Sequence, residues 1–214
     1  MAKTRLPRQP KRSEFTDPAD IEAYDHALSR YTGTPVPDFH DMGQYFGALL
    51  TSPLLCAIAG DMGRFVRTAG DRDDTYSHAD REFVDQILSK DWKTNVVQVT
   101  HIQDALSTGV RMEAIEAIRA GREDELDDTE RLLAKYIRQV VSGTVDDATW
   151  EAMVGYMGQR GVVEYTGFVL WLQWIIRMMQ TLGVDDPSEE EIDQLIADLK
   201  SGVREVPNYR ARIR

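Results

Sequence analysis

At five points along this 214-residue chain, each just ahead of a stretch with helical pattern, a Ser, Thr or Asp stands three residues ahead of an acidic side chain: at Asp17 and Asp20, Ser77 and Asp80, Asp127 and Glu130, Thr144 and Asp147, Ser188 and Glu191. That spacing lets a short polar side chain accept from the backbone N–H of the third helical residue while the acid there turns back onto the cap. Each occurrence therefore marks a helix start, and Pro18 strengthens the first because its fixed φ suits the first helical position. Glycines supply the stops, with Gly109 as a left-handed cap and Gly121 and Gly143 ending their helices. Between the marks apolar residues recur with helical period, most clearly Leu132, Leu133, Tyr136, Ile137, Val140 and Val141. No tight-turn hairpin chemistry is present. An all-α chain of about ten helices is expected.

The punctuation also sets expected bounds. One helix runs from Asp17 to about Tyr31 before the break Gly33–Pro37, a second covers Phe39–Leu50, and a third Pro53–Arg67. Gly70–Tyr76 reads as a polar loop. Helices then follow from Ser77 to about Lys90, from Trp92 to Ser107 and over Met112–Ala120. After the Asp127 helix come Ala148–Met157, a break at Gly158 and Gly161, the apolar stretch Val162–Leu182, and a last helix to about Lys200.

Composition narrows the class of function. A chain with 42% hydrophobic and 29% charged residues can bury a core and is not disordered. The single cysteine, Cys56, allows neither an intrachain disulfide nor a thiolate zinc cluster. Net charge is −11, and with the basic ends (residues 1–12 and 204–214) set aside the body carries about −19, which repels a phosphate backbone and argues against nucleic acid as a partner. The basic ends are expected either to lie over acidic surface or to be solvated. Glu164, Gln173 and Arg177 interrupt Val162–Leu182, so no membrane span is expected. With no signal-peptide pattern at the start, a cytoplasmic protein is the expectation. His26, His40 and His78 show no metal-ligand spacing and no glycine-rich phosphate loop follows a strand, so neither metal nor cofactor is expected. The chain divides by pattern into a basic arm and extension helix (1–38), a helical domain (39–184), and a C-terminal helix with an arginine-rich tail (185–214).

The segment His101-Ile-Gln-Asp-Ala-Leu-Ser-Thr-Gly-Val110 has a distinctive order. Arg81-Glu82 precedes it early in the previous helix. The short helix Met112–Ala120, an Asp-Asp-Thr-Glu-Arg-Leu-Leu helix start, Thr144-Val-Asp-Asp-Ala-Thr-Trp150 and Gly-Val-Val-Glu-Tyr165 follow it. Over roughly residues 40–184 this order resembles the AhpD-like/carboxymuconolactone decarboxylase superfamily. The resemblance implies an AhpD-like helical bundle that closes into a homo-oligomer, a trimer or hexamer. The nearly all-round apolar Val162–Leu182 helix, which must be buried on most sides, points the same way. In the redox members a Glu, a Cys-x-x-Cys pair and a His form a proton relay. Counted back from His101, the Glu position holds Glu82, while the cysteine positions hold Thr94 and Val97. The thiol pair is therefore missing, and Cys56 lies on another expected helix, so thiol peroxidase chemistry lacks its nucleophile.

For members of decarboxylase type the resemblance implies a cofactor-independent lyase or isomerase acting on a small organic acid or lactone, with Glu82 and His101 as an acid/base pair. Helical spacing puts Thr94, Val97, Gln98 and His101 on one stripe, with Ala105 a turn beyond, a lining suited to a small polar molecule. The first three are the candidate substrate-binding residues. Other readings stay open. His101 could be a structural histidine, and Glu82 a first-turn carboxylate or an ion-pair partner of Arg81 or Arg111. The whole could be a non-catalytic oligomeric binding protein, or least consistently a hydroperoxidase. Trp171 and Trp174 read as packing or subunit-contact residues, and Met153, Met157, Met178 and Met179 as core filler.

Overall fold

A computed structural model describes residues 5–73 and 75–207. Among them are nine α-helices and two short 3-10 turns, with no strand: α1 (Pro18–Thr32), α2 (Gly43–Leu49), α3 (Pro53–Asp73), α4 (His78–Trp92), α5 (Asn95–Thr108), α6 (Met112–Ala120), α7 (Asp128–Ser142), α8 (Asp147–Leu182) and α9 (Glu189–Ser201). The all-α expectation holds, and none of the described helices is long and apolar enough to cross a membrane.

The local chemistry of the ends is mostly what the sequence announces. Asp17 accepts from Ala19 N with Pro18 inside the first turn. Ser77 with Asp80, Asp127 with Glu130 and Ser188 with Glu191 all close reciprocal capping boxes. Gly109, Gly121 and Gly143 end their helices in the left-handed region. Four expected bounds shift. The second helix begins only at Gly43. The third runs on to Asp73 rather than stopping at Arg67, because Gly70 is not a breaker: a Cβ there would strike the Tyr76 ring at 2.6 Å, so the glycine allows a close approach inside a continuing helix. The expected Trp92–Ser107 helix starts at Asn95, since Lys93 adopts left-handed backbone (φ 53°) after α4. The cap of α8 is Asp146, whose carboxylate accepts from Thr149 N at 2.7 Å, rather than Thr144. Of the two glycines expected to break α8 only Gly158 does (φ 73°), whereas Gly161 gives room for Thr75, 2.8 Å from a notional Cβ.

The chain forms two compact units. One comprises the described residues up to Phe65 with Arg177–Asp185. Tyr24, Leu28 and Leu50 are fully buried there, and the N-terminal segment is tied down by ion pairs of Arg8 with Glu14 and Arg12 with Asp25, both 2.6 Å. The arginine-rich tail lies outside the described residues from 208 onward.

The other unit comprises Val66–Ile176 and the described residues from Asp186. Its central element is α4, which packs on α5, α6 and α7 and is buried at every position from Asp80 to Ser89. Helix α9 packs on α5, and the segment leading into it reaches the start of α5. There the Asp186 carboxylate accepts from Val96 N (2.6 Å), doing the capping work that Thr94, with no side-chain cap bond, leaves undone.

Candidate functional site

Helices α4 and α5 are joined by Lys93 and Thr94 alone and run back alongside each other. On α4 the buried residues Glu82, Asp85, Gln86 and Ser89 fall at i, i+3, i+4 and i+7, a polar stripe facing inward. On α5 the matching stripe is buried Val97, Gln98 and Ala105 with part-exposed His101 among them, and Thr94 just before the helix. The pairing is in register. His101 Nδ1 donates to Glu82 Oε2 at 2.9 Å, and one turn further Gln98 Nε2 donates to Gln86 Oε1 at 3.3 Å.

The expected pair, Glu82 and His101, is thus in contact. Glu82 is used at both oxygens, for Oε1 accepts from His78 Nε2 at 2.9 Å. A second carboxylate, Asp85, lies 3.7 Å from His101 Nδ1. Arg67 from α3 closes the group, its guanidinium 3.6 Å from Glu82 and 3.5 Å from Asp85. That guanidinium also lies over the rings of Phe168 and Trp171, 5.2 and 5.5 Å from their centroids, which holds a cation where it balances the carboxylates. The carboxylate side chains are 1% and 0% exposed, whereas His101, His78 and Arg67 are 21–28% exposed. The carboxyl groups lie beneath and the basic side chains nearer the surface. Beside His78 opens a cleft of about 450 Å³ lined also by Asp71, Tyr76, Asp80 and Tyr156.

Burial shapes the protonation of the whole group. It would raise the Glu82 carboxyl, but hydrogen bonds from His101 and His78, with the charges of His101 and Arg67, bring it down to about 2. For Asp85 burial wins over the charges of His101 and Arg67, and its carboxyl stays above the ordinary range. Burial pulls the His101 imidazolium down, yet the charge of Asp85 and the Glu82 hydrogen bond overrule it and leave the imidazole more basic than usual. With Nδ1 facing two carboxylates, Nδ1 carries the proton. Among the described residues no partner engages Nε2. That nitrogen is free to give or take a proton.

The three expected substrate-binding residues are all placed in the interior, at 1–4% exposure. Gln98 spends both ends of its amide on protein, on Gln86 and on Arg119 Nη1 (2.7 Å). Thr94 donates to Trp92 O at 3.4 Å. Val97 is a core residue. Trp171 is half-buried, stacked on Phe168 at 6.1 Å.

Sequence reasoning missed three members. Asp85 and His78 stand three residues after and four before Glu82, so helical spacing alone puts all three on one face. Arg67 carried no such signal, since its helix was expected to end there. Glu82, Asp85 and His101 also form the group of described residues able to hold a metal ion, with donor atoms within 4.8 Å of one another. Cys56 belongs to the other unit, where it is buried, and burial pushes its thiol up to about 11. Comparison with protein-family models, with curated proteins and with solved structures returns no match to the chain.

Proposed function

We propose that the chain is a carboxymuconolactone decarboxylase-like, cofactor-independent lyase or isomerase acting on a small organic acid or lactone. The observation that carries the reading is the 2.9 Å hydrogen bond between buried Glu82 and His101, nineteen residues apart. The family resemblance rests on the residues alone, and its motif is what singles out these two. Their geometry supports a definite division of labour. Glu82 fixes the tautomer of His101 and stabilises its imidazolium, and Nε2 moves the proton at the substrate. A positioned acid/base group of this kind contributes about 10²–10⁴-fold in rate. Arg67, part-exposed beside it, supplies the positive charge that a substrate carboxylate needs. In a lactone acid the conjugated carbonyl accepts the electrons released with CO2, so the chemistry asks for no further group.

The test is turnover of a panel of unsaturated lactone acids, read as CO2 release or isomer formation. His101→Ala abolishes turnover with the fold intact. Glu82→Gln lowers the rate and moves the acidic limb of the pH profile. Full activity per folded His101→Ala molecule defeats the proposal.

We also infer a homo-oligomer, a trimer or a multiple of one. Its support is the exposed apolar face of α3, where Leu54, Ile58, Met62 and Phe65 follow helical spacing at 40–66% exposure. A solution mass equal to the 24.3 kDa of one chain counts against it.

A further inference from the structure

We propose that Glu82, Asp85 and His101 form a binding site for a first-row divalent metal ion, and that the ion takes the place of the proton on His101 Nδ1. The argument starts from Asp85. Its side chain is fully buried, and among the described residues neither carboxylate oxygen has a hydrogen-bond partner. A buried carboxylate without hydrogen bonds is costly unless something positive meets it, so this one is built for a ligand. What it faces is His101 Nδ1 at 3.7 Å and the Arg67 guanidinium at 3.5 Å, both beyond a good hydrogen bond.

The donor geometry suits an ion. Ligand atoms about 2.1 Å from a metal stand about 3–3.4 Å apart in tetrahedral or octahedral sites. The imidazole nitrogen is 2.9 Å from one carboxylate and 3.7 Å from the other, which brackets that spacing. Two carboxylates and one imidazole, with no thiolate, select Mn²⁺, Fe²⁺, Co²⁺ or Zn²⁺ over soft ions. Helix spacing fixes Glu82 and Asp85 on one face of α4, and α5 brings in the third donor, so no loop needs to fold around the metal. Arg67 marks where positive charge belongs. Its side chain is 28% exposed and held by ring faces rather than by close hydrogen bonds, so an incoming ion can displace it. Binding releases the Nδ1 proton to solvent and exchanges the guanidinium for the ion. A loaded site no longer holds the Glu82–His101 hydrogen bond, so metal and acid/base chemistry exclude each other.

The site is read without any substrate, so its failure leaves the lyase proposal standing, and failure of turnover leaves the site standing. Chelator-treated full-length protein is titrated with Mn²⁺, Co²⁺ and Zn²⁺ at pH 8 by calorimetry, and Co²⁺ binding is followed by visible absorption. One ion per chain is expected, with a Co²⁺ spectrum of oxygen and nitrogen ligation. Asp85→Asn, nearly isosteric, weakens binding at least tenfold. Arg67→Gln strengthens it about tenfold, an effect that a diffuse acidic surface does not produce. Absence of binding by the wild-type chain up to millimolar ion overturns the proposal, as does binding unchanged in Asp85→Asn.

Discussion

Helices α4 and α7 are each 15 residues long, and each begins with a reciprocal capping box. Their interiors are opposite. Helix α7 buries Leu133, Ala134, Tyr136, Ile137 and Val140 and turns its charges outward. Helix α4 buries Asp80, Arg81, Glu82, Asp85, Gln86 and Ser89 among its apolar residues. The ends of a helix therefore say little about what its faces do. Apolar burial on α7 stabilises the unit, whereas charge burial on α4 draws on that stability. A helix that gives up stability in this way while packing against three neighbours is where a function is expected.

The largest effect that can test this contrast is Ile137→Ala. A fully buried isoleucine on α7 gives up about 2–5 kcal/mol when cut to alanine. The melting temperature falls accordingly, while the protonation of His101, followed by NMR, stays put. A shift in the imidazole titration would show that the two helices are not separable in this way.

The next effect depends on pH. His101 is raised in the fold, so its contribution is complete below the ordinary imidazole value of about 6.5 and is lost as pH rises through the raised value. Asp85 is also raised, so the cost of its buried charge grows in the same direction. Glu82, lowered to about 2, works the other way: its contribution is present above about 4.5 and is lost as pH falls toward 2. The groups facing His101 are Glu82 and Asp85 from α4 and Arg67 from α3, and all are included in these signs. Glu82 therefore sets an acid loss of stability below about pH 4.5, while Asp85 and His101 both set a decline toward alkaline pH. Asp85→Asn, which cannot ionise, flattens the alkaline decline. Melting curves from pH 5 to 9 measure it, and an unchanged slope would mean that Asp85 is not held at a cost.

The smallest effect concerns the shared ends. Ser77→Ala and Asp127→Ala remove one cap each and should each cost about 1 kcal/mol, read from denaturant midpoints. A Ser77→Ala cost several times that of Asp127→Ala would show that the α4 cap also holds the polar stripe in place.

The particular residues show why the fold was more legible than the site. Ser77, Asp127, Ser188 and the C-cap glycines act within a few residues of themselves, so sequence spacing carries their meaning. Gly70 and Gly161 act through a neighbour distant in sequence, and nothing local separates such a glycine from a breaker. Lys93 in left-handed backbone carries no glycine to announce it, so the α4–α5 joint was placed three residues early. The Glu82–His101 pair was legible through a nineteen-residue count, and Asp85 and His78 were legible in principle from their spacing to Glu82. The metal-capable group escaped because pairs were sought within one helix, whereas its donors come from two.

One consequence lies with Trp171. Its ring is stacked on Phe168, carries the Arg67 guanidinium on its face, and has a buried indole N–H without a partner among the described residues. An indole excited state redistributes charge across its ring, so its emission colour follows the electric field imposed on it. Arg67, its guanidinium 5.5 Å from the ring centroid, contributes to that field, and the same guanidinium balances Glu82 and Asp85. Whatever moves the guanidinium, be it a bound anion, an ion among the carboxylates or a change in the charge beneath it, also retunes Trp171. With the three other tryptophans replaced, the molecule becomes its own optical probe of the site, needing neither label nor substrate.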